Sequence, residues 1–575
     1  MKINRLAIFL ATFLISIAVV GQQALEPSPS RLQQHISYLA SDALDGRRTG
    51  TAGANDAARY VAGEFSRAGL MPGVGKPERK PRAIIASYLQ TFPYVGRVEL
   101  GKNNVLSLNN GENLRAGEDW MPLGISANQT LNLTGVVNAG YGITANELNH
   151  NDYKGTYSKT QVALIRTGTP DGDNPHSRFT TAGQLRFKVA AAESVGVGAL
   201  LIASDEDDLK NEPLASLRYD NAGLAGIPVA VISKQVAEKL ANAKEVTLTT
   251  DVVRAEVPSY NVVGVLEGSD PVLKNETIIL GAHYDHLGRG GEGSLAPRAG
   301  EIHHGADDNA SGTAGLIELA RIFGAQRPKL KRTLIFIAFG GEEEGLLGSN
   351  YYVNHPFTPL TNTVGMINMD MIGRMKDRKL IIGGVGTAKE WRDLIAPEKS
   401  FELTLNEDGF GPSDHSSFYG KQVPVLFFWT GTHNDYHKPS DTWDKINYND
   451  EAKILSFVAR IVRDIDGADK RLTYTVAKSD QTPRASGFRV YLGTIPNYAD
   501  TTDGLLLDGV RDESPAAKAG LKAGDRIVKI GNRDVKNVYD YTYALGEMTA
   551  GQEYVFEVIR GSEKLTLKVI PEARK

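Results

Sequence analysis

Five short segments carry residue types that bind metal ions, and each sits beside an apolar run of strand character. "IILGAHYDHLG" ends in His283 and Asp285. "GADDNASG" places Asp307 and Asp308 just before a helix. "TLIFIAFGGEEEG" delivers Glu342, Glu343 and Glu344, "MINMDMIG" delivers Asp370, and "PVLFFWTGTHNDYHKPSDT" supplies His433, Tyr436 and His437. Singly these are weak signals; an acidic triplet, for example, also suits a helix N-terminus. Jointly they conflict, because clustered carboxylates and imidazoles repel or stay unpaired unless cations lie between them. Imidazole and carboxylate donors suit zinc, with manganese or cobalt as alternatives. The donor count is enough for two ions, which at about 3.5–4 Å apart can share a carboxylate and a water. One ion acidifies the water, the other polarises a substrate carbonyl, and a nearby carboxylate carries the proton to a leaving amine.

The elements that must position these residues alternate between strand and helix over 257–470. Thr277 to Ala282, Thr333 to Phe339, Met366 to Met369 and Val425 to Trp429 read as strands. Ser311 to Ala325 reads as a helix with Leu316, Ile317, Leu319, Ala320 and Phe323 on one face. Glu451 to Ile465 is amphipathic, with Ile454, Leu455, Val458, Ile461, Val462 and Ile465 on one side. Such alternation predicts an α/β sandwich around a largely parallel sheet. In open sheets of this kind ligands gather at the carboxyl ends of the strands, which is where all five segments lie.

Composition narrows the class. Of 575 residues, 41% are hydrophobic and 23% charged, as in ordinary soluble proteins. With 64 Lys and Arg against 68 Asp and Glu, the net charge of -4 lacks the basic field of a nucleic-acid binder. There is no Cys, which excludes disulfides, thiolate ligands and a Cys nucleophile, so any zinc site must use His, Asp and Glu. At the N-terminus Lys2 and Arg5 precede an apolar run from Leu6 to Val20, shorter than the ~20 residues of a membrane span. Residues 1–22 therefore read as a secretory signal peptide, with an uncleaved anchor as the alternative. The expected location is secreted or periplasmic, with no stable membrane insertion after signal removal.

The H-x-D, "GADDNASG", "EEEGLLGS", "NMD" and "YHKPSDT" segments resemble, in content and order, the co-catalytic zinc aminopeptidases of the bacterial leucyl-aminopeptidase type, a family that includes glutamate carboxypeptidase. The resemblance covers about 257–465. It implies the zinc exopeptidase fold, a three-layer sandwich, and two Zn2+ ions: His283 and Asp370 on one, Glu343 and His437 on the other, Asp308 bridging. The family's bridging Asp stands four residues before the Gly of its Ser-Gly step, here Gly312, which selects Asp308 over Asp307. Its Glu-Glu-x-Gly-Leu frame, fixed by Gly345 and Leu346, makes Glu342 the general base and Glu343 the ligand. Asp285 is expected to accept a hydrogen bond from the second ring nitrogen of His283. Tyr436 is a candidate donor to the tetrahedral oxyanion, with a packing role as the alternative. In relatives the peptide after the bridging Asp is cis. His286, His303, His304, His415 and His433 are expected to line the pocket rather than bind metal.

The flanks carry further resemblances. Residues 23–125 read as the N-terminal part of the peptidase domain, and "ALDGRRTGTAG" (43–53) is similar to the start of the same peptidases. Residues 126–256 resemble an inserted protease-associated α/β domain, through "DYKGTYSKTQVALIRTG", "GVGALLIAS" and "IPVAVIS". Residues 484–575, with "SPAAKAGLKAGDRIVKIGN", resemble a PDZ domain, which binds a peptide by adding it as a strand. A peptide C-terminus near Leu492 and Gly493 is thus a possible partner, although Pro496 cannot donate a backbone hydrogen bond. The leading expectation is a peptidase releasing N-terminal residues from peptide substrates. A carboxypeptidase of the same fold, with Arg289, Arg298 or Arg374 receiving the substrate carboxylate, is the first rival. An inactive peptide-binding protein is the second.

Overall fold

The computed structural model describes residues 25–573 apart from 75–80, 109–110, 146–147, 173–176, 180–181, 220–222, 242, 292, 297–299, 478–489, 498–503 and 512–513. The expected signal peptide lies outside the described residues. So do Arg298 and the expected start of the C-terminal unit. Among the described residues no helix is long and apolar enough to cross a membrane.

The runs that read as buried strands form the middle of a nine-stranded sheet. Thr333–Phe339, Thr277–His283, Thr363–Met369 and Val425–Trp429 lie side by side and parallel. Antiparallel strands flank them, Ser259–Leu266 beside 333–339 and Lys379–Gly383 beside 425–429. The sheet is therefore parallel at its centre and mixed at its edges. All seven residues of 277–283, 333–339 and 363–369 are buried, as expected for strands covered on both faces.

The covering layers follow the helical periodicity. Pro29–Leu39, Ala52–Arg67, Gly312–Ala325 and Tyr448–Gly467 share one core with the sheet, through Ile36, Val61, Phe65, Leu319, Phe323, Leu455 and Val458. Thr51 caps one of these helices by accepting from the Ala54 amide, and Asn447 caps another by accepting from Asp450. On the opposite face Tyr352, Val353, Phe418 and Tyr419, from the helices Leu347–Asn354 and His415–Tyr419, pack on Ile279, Ile335 and Ile337. Burying each such side chain stabilises the fold by about 1.5–3 kcal/mol before entropy is counted.

The insertion is larger than the patterning indicates. Its five-stranded sheet runs Trp120–Pro122, Val229–Ile232, Ala199–Ala203, Val162–Arg166, Val136–Asn138, and its four-stranded sheet includes Val105–Leu108 and Asn113–Leu114. Residues 105–122 thus belong with the inserted module rather than with the nine-stranded sheet and its covering helices. These strands are too short to carry a readable period, and two of them pair with strands over a hundred residues away, as in Val105 opposite Thr249 and Trp120 opposite Ile232. The C-terminal unit is a sheet of Leu505–Val510, Asp525–Ile530, Tyr554–Arg560 and Glu563–Val569, closed by the helix Val538–Glu547 over Leu507, Ile527, Phe556 and Val558.

Candidate metal centre

The carboxyl ends of the parallel strands converge on one buried cluster. His283 is the last residue of its strand, with a side chain only 1% exposed. Its Nε2 lies 3.4 Å from Asp308 Oδ1, 3.4 Å from Asp370 Oδ1 and 3.9 Å from Glu342 Oε2. The second oxygen of Asp308 faces the other way, 3.2 Å from His437 Nε2, and that nitrogen is 3.3 Å from Glu343 Oε2. The structure therefore brings Asp308, Glu342, Glu343, Asp370, His283 and His437 together, with Asp308 between two donor sets. The Asp308–Asn309 peptide is cis. Gly305 turns the chain into this segment with φ 58°; a Cβ there would stand 2.3 Å from the Asp308 carbonyl oxygen and 2.5 Å from the His286 ring.

Ring orientations are fixed by carbonyls, which can only accept. His283 Nδ1 donates to the Asp285 carbonyl at 3.2 Å, and His437 Nδ1 donates to the Gly293 carbonyl at 2.7 Å. When a cation displaces the proton, each ring can turn its Nε2 lone pair into the space between the carboxylates. Asp285 thus accepts from the second ring nitrogen of His283 through its main-chain carbonyl, while its carboxylate stands 3.7 Å from the same nitrogen. That carboxylate, fully buried, instead accepts from the Glu342 amide at 3.2 Å and the Thr49 hydroxyl at 2.7 Å. Asp285 thus holds His283 by its backbone and Glu342 by its side chain.

The donor set fits divalent cations. His283 Nε2 and Asp370 Oδ1 are buried without a hydrogen-bond partner. One ligand atom each of His283, Asp308 and Asp370 lies within 4.8 Å of the others, as does one each of His286, Asp308 and Glu343. His286 enters this second group because its Nδ1 donates to Glu343 Oε1 at 2.7 Å, which orients the carboxylate toward His437. The other expected pocket histidines stay outside the cluster. His303 bonds Ser294, His304 bonds Asp42 and the Pro439 carbonyl, and His415 stacks on Phe427. His433 pairs with Asp307 at 3.2 Å, and Asp307 also accepts from the Gly373 amide.

Electrostatics describe the same crowding. Burial opposes charge on His283, yet Asp370 and Glu342 hold it well above the usual imidazole range. His437, also opposed by burial, is raised to about 10 by Asp308 and Glu343. Burial, opposed by His283 and reinforced by Asp370 and Glu343, pushes Glu342 well above the usual carboxylate range. Burial and the repulsion of Asp308 act to raise Glu343, but His286 and His437 bring it down to about 2. In the metal-free protein the histidines thus stand in for cations. Tyr436 stacks on His437 with centroids 3.8 Å apart, and burial plus the surrounding Asp308 and Glu343 keep its hydroxyl protonated, hence a donor.

Three supporting groups escaped the sequence reading. Asp441 accepts from the amides of Asp307 at 2.9 Å and Asp308 at 3.2 Å, so it shapes the turn that presents the central carboxylate. Its signal was its place in the "YHKPSDT" segment, four residues after His437. Ser413 accepts from Asn368 Nδ2 at 2.8 Å and also bonds the Asp370 side chain. Thr49 lies in the "RRTG" stretch, whose neighbour Arg47 spans the Tyr284, His304 and Gly305 carbonyls. Nothing in one sequence signals that Ser413 or Thr49 meets residues so far away.

Known proteins with similar sequences point the same way. Residues 261–462 match the model of peptidase family M28, and residues 492–570 match that of the PDZ domain. The chain is 28% identical over 272 residues to "Aminopeptidase YwaD" of Bacillus subtilis, covering 45% of this chain and 55% of that one. It is 28% identical over 180 residues to "Leupeptin-inactivating enzyme 1" of Streptomyces exfoliatus, covering 31% and 37%. It is 38% identical over 125 residues to a "Probable zinc metalloprotease" of Phaeosphaeria nodorum, covering 20% and 24%. The chain thus spans about half or less of the length of these curated relatives. Among solved structures, a zinc aminopeptidase from Bacillus subtilis aligns at 24% identity and TM-score 0.47, covering 76% of this chain and 94% of its own.

Proposed function

Since residues 261–462 are a peptidase family M28 domain and residues 492–570 a PDZ domain, we propose that the protein is an exported zinc aminopeptidase that releases N-terminal residues from peptides. The observation that carries this reading is Asp308 standing between His283 with Asp370 and His437 with Glu343, with Glu342 beside them. His283 and Asp370 would hold one zinc, Glu343 and His437 a second, and Asp308 both. Bound zinc would supply an acidified water and a polarised substrate carbonyl. Glu342 takes the proton and delivers it to the leaving amine. Its backbone is fixed by Asp285, which Thr49 in turn holds. The Tyr436 hydroxyl donates to the oxyanion that the substrate carbonyl oxygen becomes when water adds to its carbon.

The carboxypeptidase alternative needs a free cation for the substrate carboxylate. Arg374 is committed to Asp435 at 3.1 Å and lies 3.8 Å from Asp441, while Arg289 pairs with Asp45. Among the described residues that favours the aminopeptidase reading; Arg298 lies outside them. Every expected ligand position is filled, which disfavours an inactive binding protein. Export rests on the N-terminal sequence, and the inserted module reads as a protease-associated domain. Comparing an aminoacyl-nitroanilide with an N-blocked peptide tests the main reading: only the former should be cleaved, and cleavage of the blocked peptide alone overturns it.

A further inference from the structure

The C-terminal PDZ domain touches both other parts of the chain. Its 538–547 helix packs on the helix Leu185–Val195 of the inserted module. Tyr543 of that helix is a member of the module's own core, with 6% exposure, beside Ala190, Ala191 and Tyr153. Its hydroxyl meets the side chains of Thr144 and Ser194, and the Arg533 guanidinium lies 4.3 Å over its ring. Next to it Lys536 sits against Gly226, where a Cβ would collide with its Nζ, and Asn537 lies against Gly223, where a Cβ would be in van der Waals contact at 3.4 Å. The second contact is with the peptidase domain. Arg511 Nη1 donates to the buried Asp408 carboxylate at 3.0 Å, and the other Asp408 oxygen caps the Phe410 amide. That loop leads to Ser413, which supports Asn368 and Asp370.

The peptide-binding edge of the same domain is occupied from within. Among the described residues Thr494–Pro496 is an edge strand whose neighbour is 505–510, so a peptide added as a strand would run along its other side. The hydroxyls of Thr494 and Tyr541 are hydrogen-bonded, which ties that strand to the 538–547 helix. Pro496 removes a backbone donor from the same edge.

The inserted module, for its part, reaches the catalytic rim. Arg218 lies against Gly291, and two residues on, the Gly293 carbonyl holds the His437 ring. We infer that the PDZ domain is an internal staple: the face of its 538–547 helix binds the inserted module, Arg511 binds the peptidase loop, and the pair fixes the module at the site instead of capturing peptide C-termini. This inference rests on the family assignment of residues 492–570, not on the proposed reaction.

Hydrogen exchange on the full chain tests it without an activity readout. Tyr543→Ala should speed exchange about tenfold or more in both the 538–547 and 185–195 helices, with strands 525–530 and 554–560 still protected. Unchanged exchange in both helices overturns the staple. Should Tyr543→Ala fail to fold, Arg511→Gln decides: faster exchange at the Phe410 amide supports the staple, and no change there overturns it. Titrating the intact wild-type chain with short peptides bearing free C-terminal carboxylates should give no saturation at millimolar concentration. Saturable binding with the 538–547 helix still protected overturns the inference.

Discussion

The two ends of the strand Thr333–Phe339 handle buried charge in opposite ways. At its amino end the fully buried Arg332 bonds Glu276 at 2.8 Å and the carbonyls of Ile465, Asp466 and Ala468, while Asp466 accepts from the Lys331 and Arg332 amides. At its carboxyl end Glu342 and Glu343 join Asp308 and Asp370 with only imidazoles between them, and His283 Nε2 and Asp370 Oδ1 lack partners. The first end holds its charges mostly with oxygens and amides of the chain itself, leaving only Arg332 Nη2 without a partner. The second turns several carboxylates inward on each other. Neither a buried charge nor a single unpartnered atom is therefore a mark of function; several carboxylates converging with only imidazoles between them are.

Substitutions at the two ends should separate these roles. Asp308→Ala removes the shared carboxylate, so both metal content and activity should fall to background. Metal analysis of the purified variant checks this, and retained zinc at wild-type stoichiometry would remove Asp308 from its central place. Glu342→Gln should keep the metal and lose about 10²–10⁴-fold in kcat, the range for one general base. Metal loss equal to that of Asp308→Ala would show that the Glu342 and Glu343 roles are exchanged.

Smaller effects bear on stability. Arg332→Met strands Glu276 and several carbonyls, and should cost about 3–5 kcal/mol with the zinc content of the folded protein unchanged. Asp370→Asn in the metal-free protein should by contrast be neutral or stabilising, because it relieves repulsion from Asp308 and Glu342. Denaturant midpoints compare the two, and a loss at Asp370 as large as that at Arg332 would erase the contrast. An effect absent at neutral pH and confined to acid concerns His415, which burial brings down to about 3 where it stacks 4.4 Å from Phe427. The unfolded chain binds that proton below about 6.5, so stability should decline as pH falls from there toward 3. His415→Phe should flatten that limb, and an unaltered acid limb would mean that other groups set it.

Much of this was legible in sequence where short range dominates. The apolar runs at 277–283 and 333–339 and the face of 312–325 declared themselves by length and period. The ligand-type residues could be read because most end or follow a strand and Asp308 opens the helix between two of them. What stayed hidden depends on contacts between distant segments. Thr49 on Asp285, Ser413 beneath Asp370 and Asp441 under the Asp307–Asp308 turn are polar residues of common type, informative only once the fold brings them in. The same holds for the strands at 105–122, and for Tyr543, which is an ordinary helix tyrosine until it is found inside another domain's core.

The point of insertion also has a consequence. The chain leaves the sheet at Phe92 and returns at Ser259, and these two residues are register partners. Beyond them Val95–Leu100 and Val252–Glu256 pair antiparallel as a two-stranded sheet of their own, and between the two pairings the Val257 amide donates to the Tyr94 carbonyl at 2.8 Å. To the peptidase sheet the whole module is the loop of a hairpin whose two arms are already zipped. Loop-closure entropy grows only logarithmically with length, so a large loop on such a stem costs the sheet little more than a short one. The module can therefore be exchanged, enlarged or lost without asking the catalytic strands to change register.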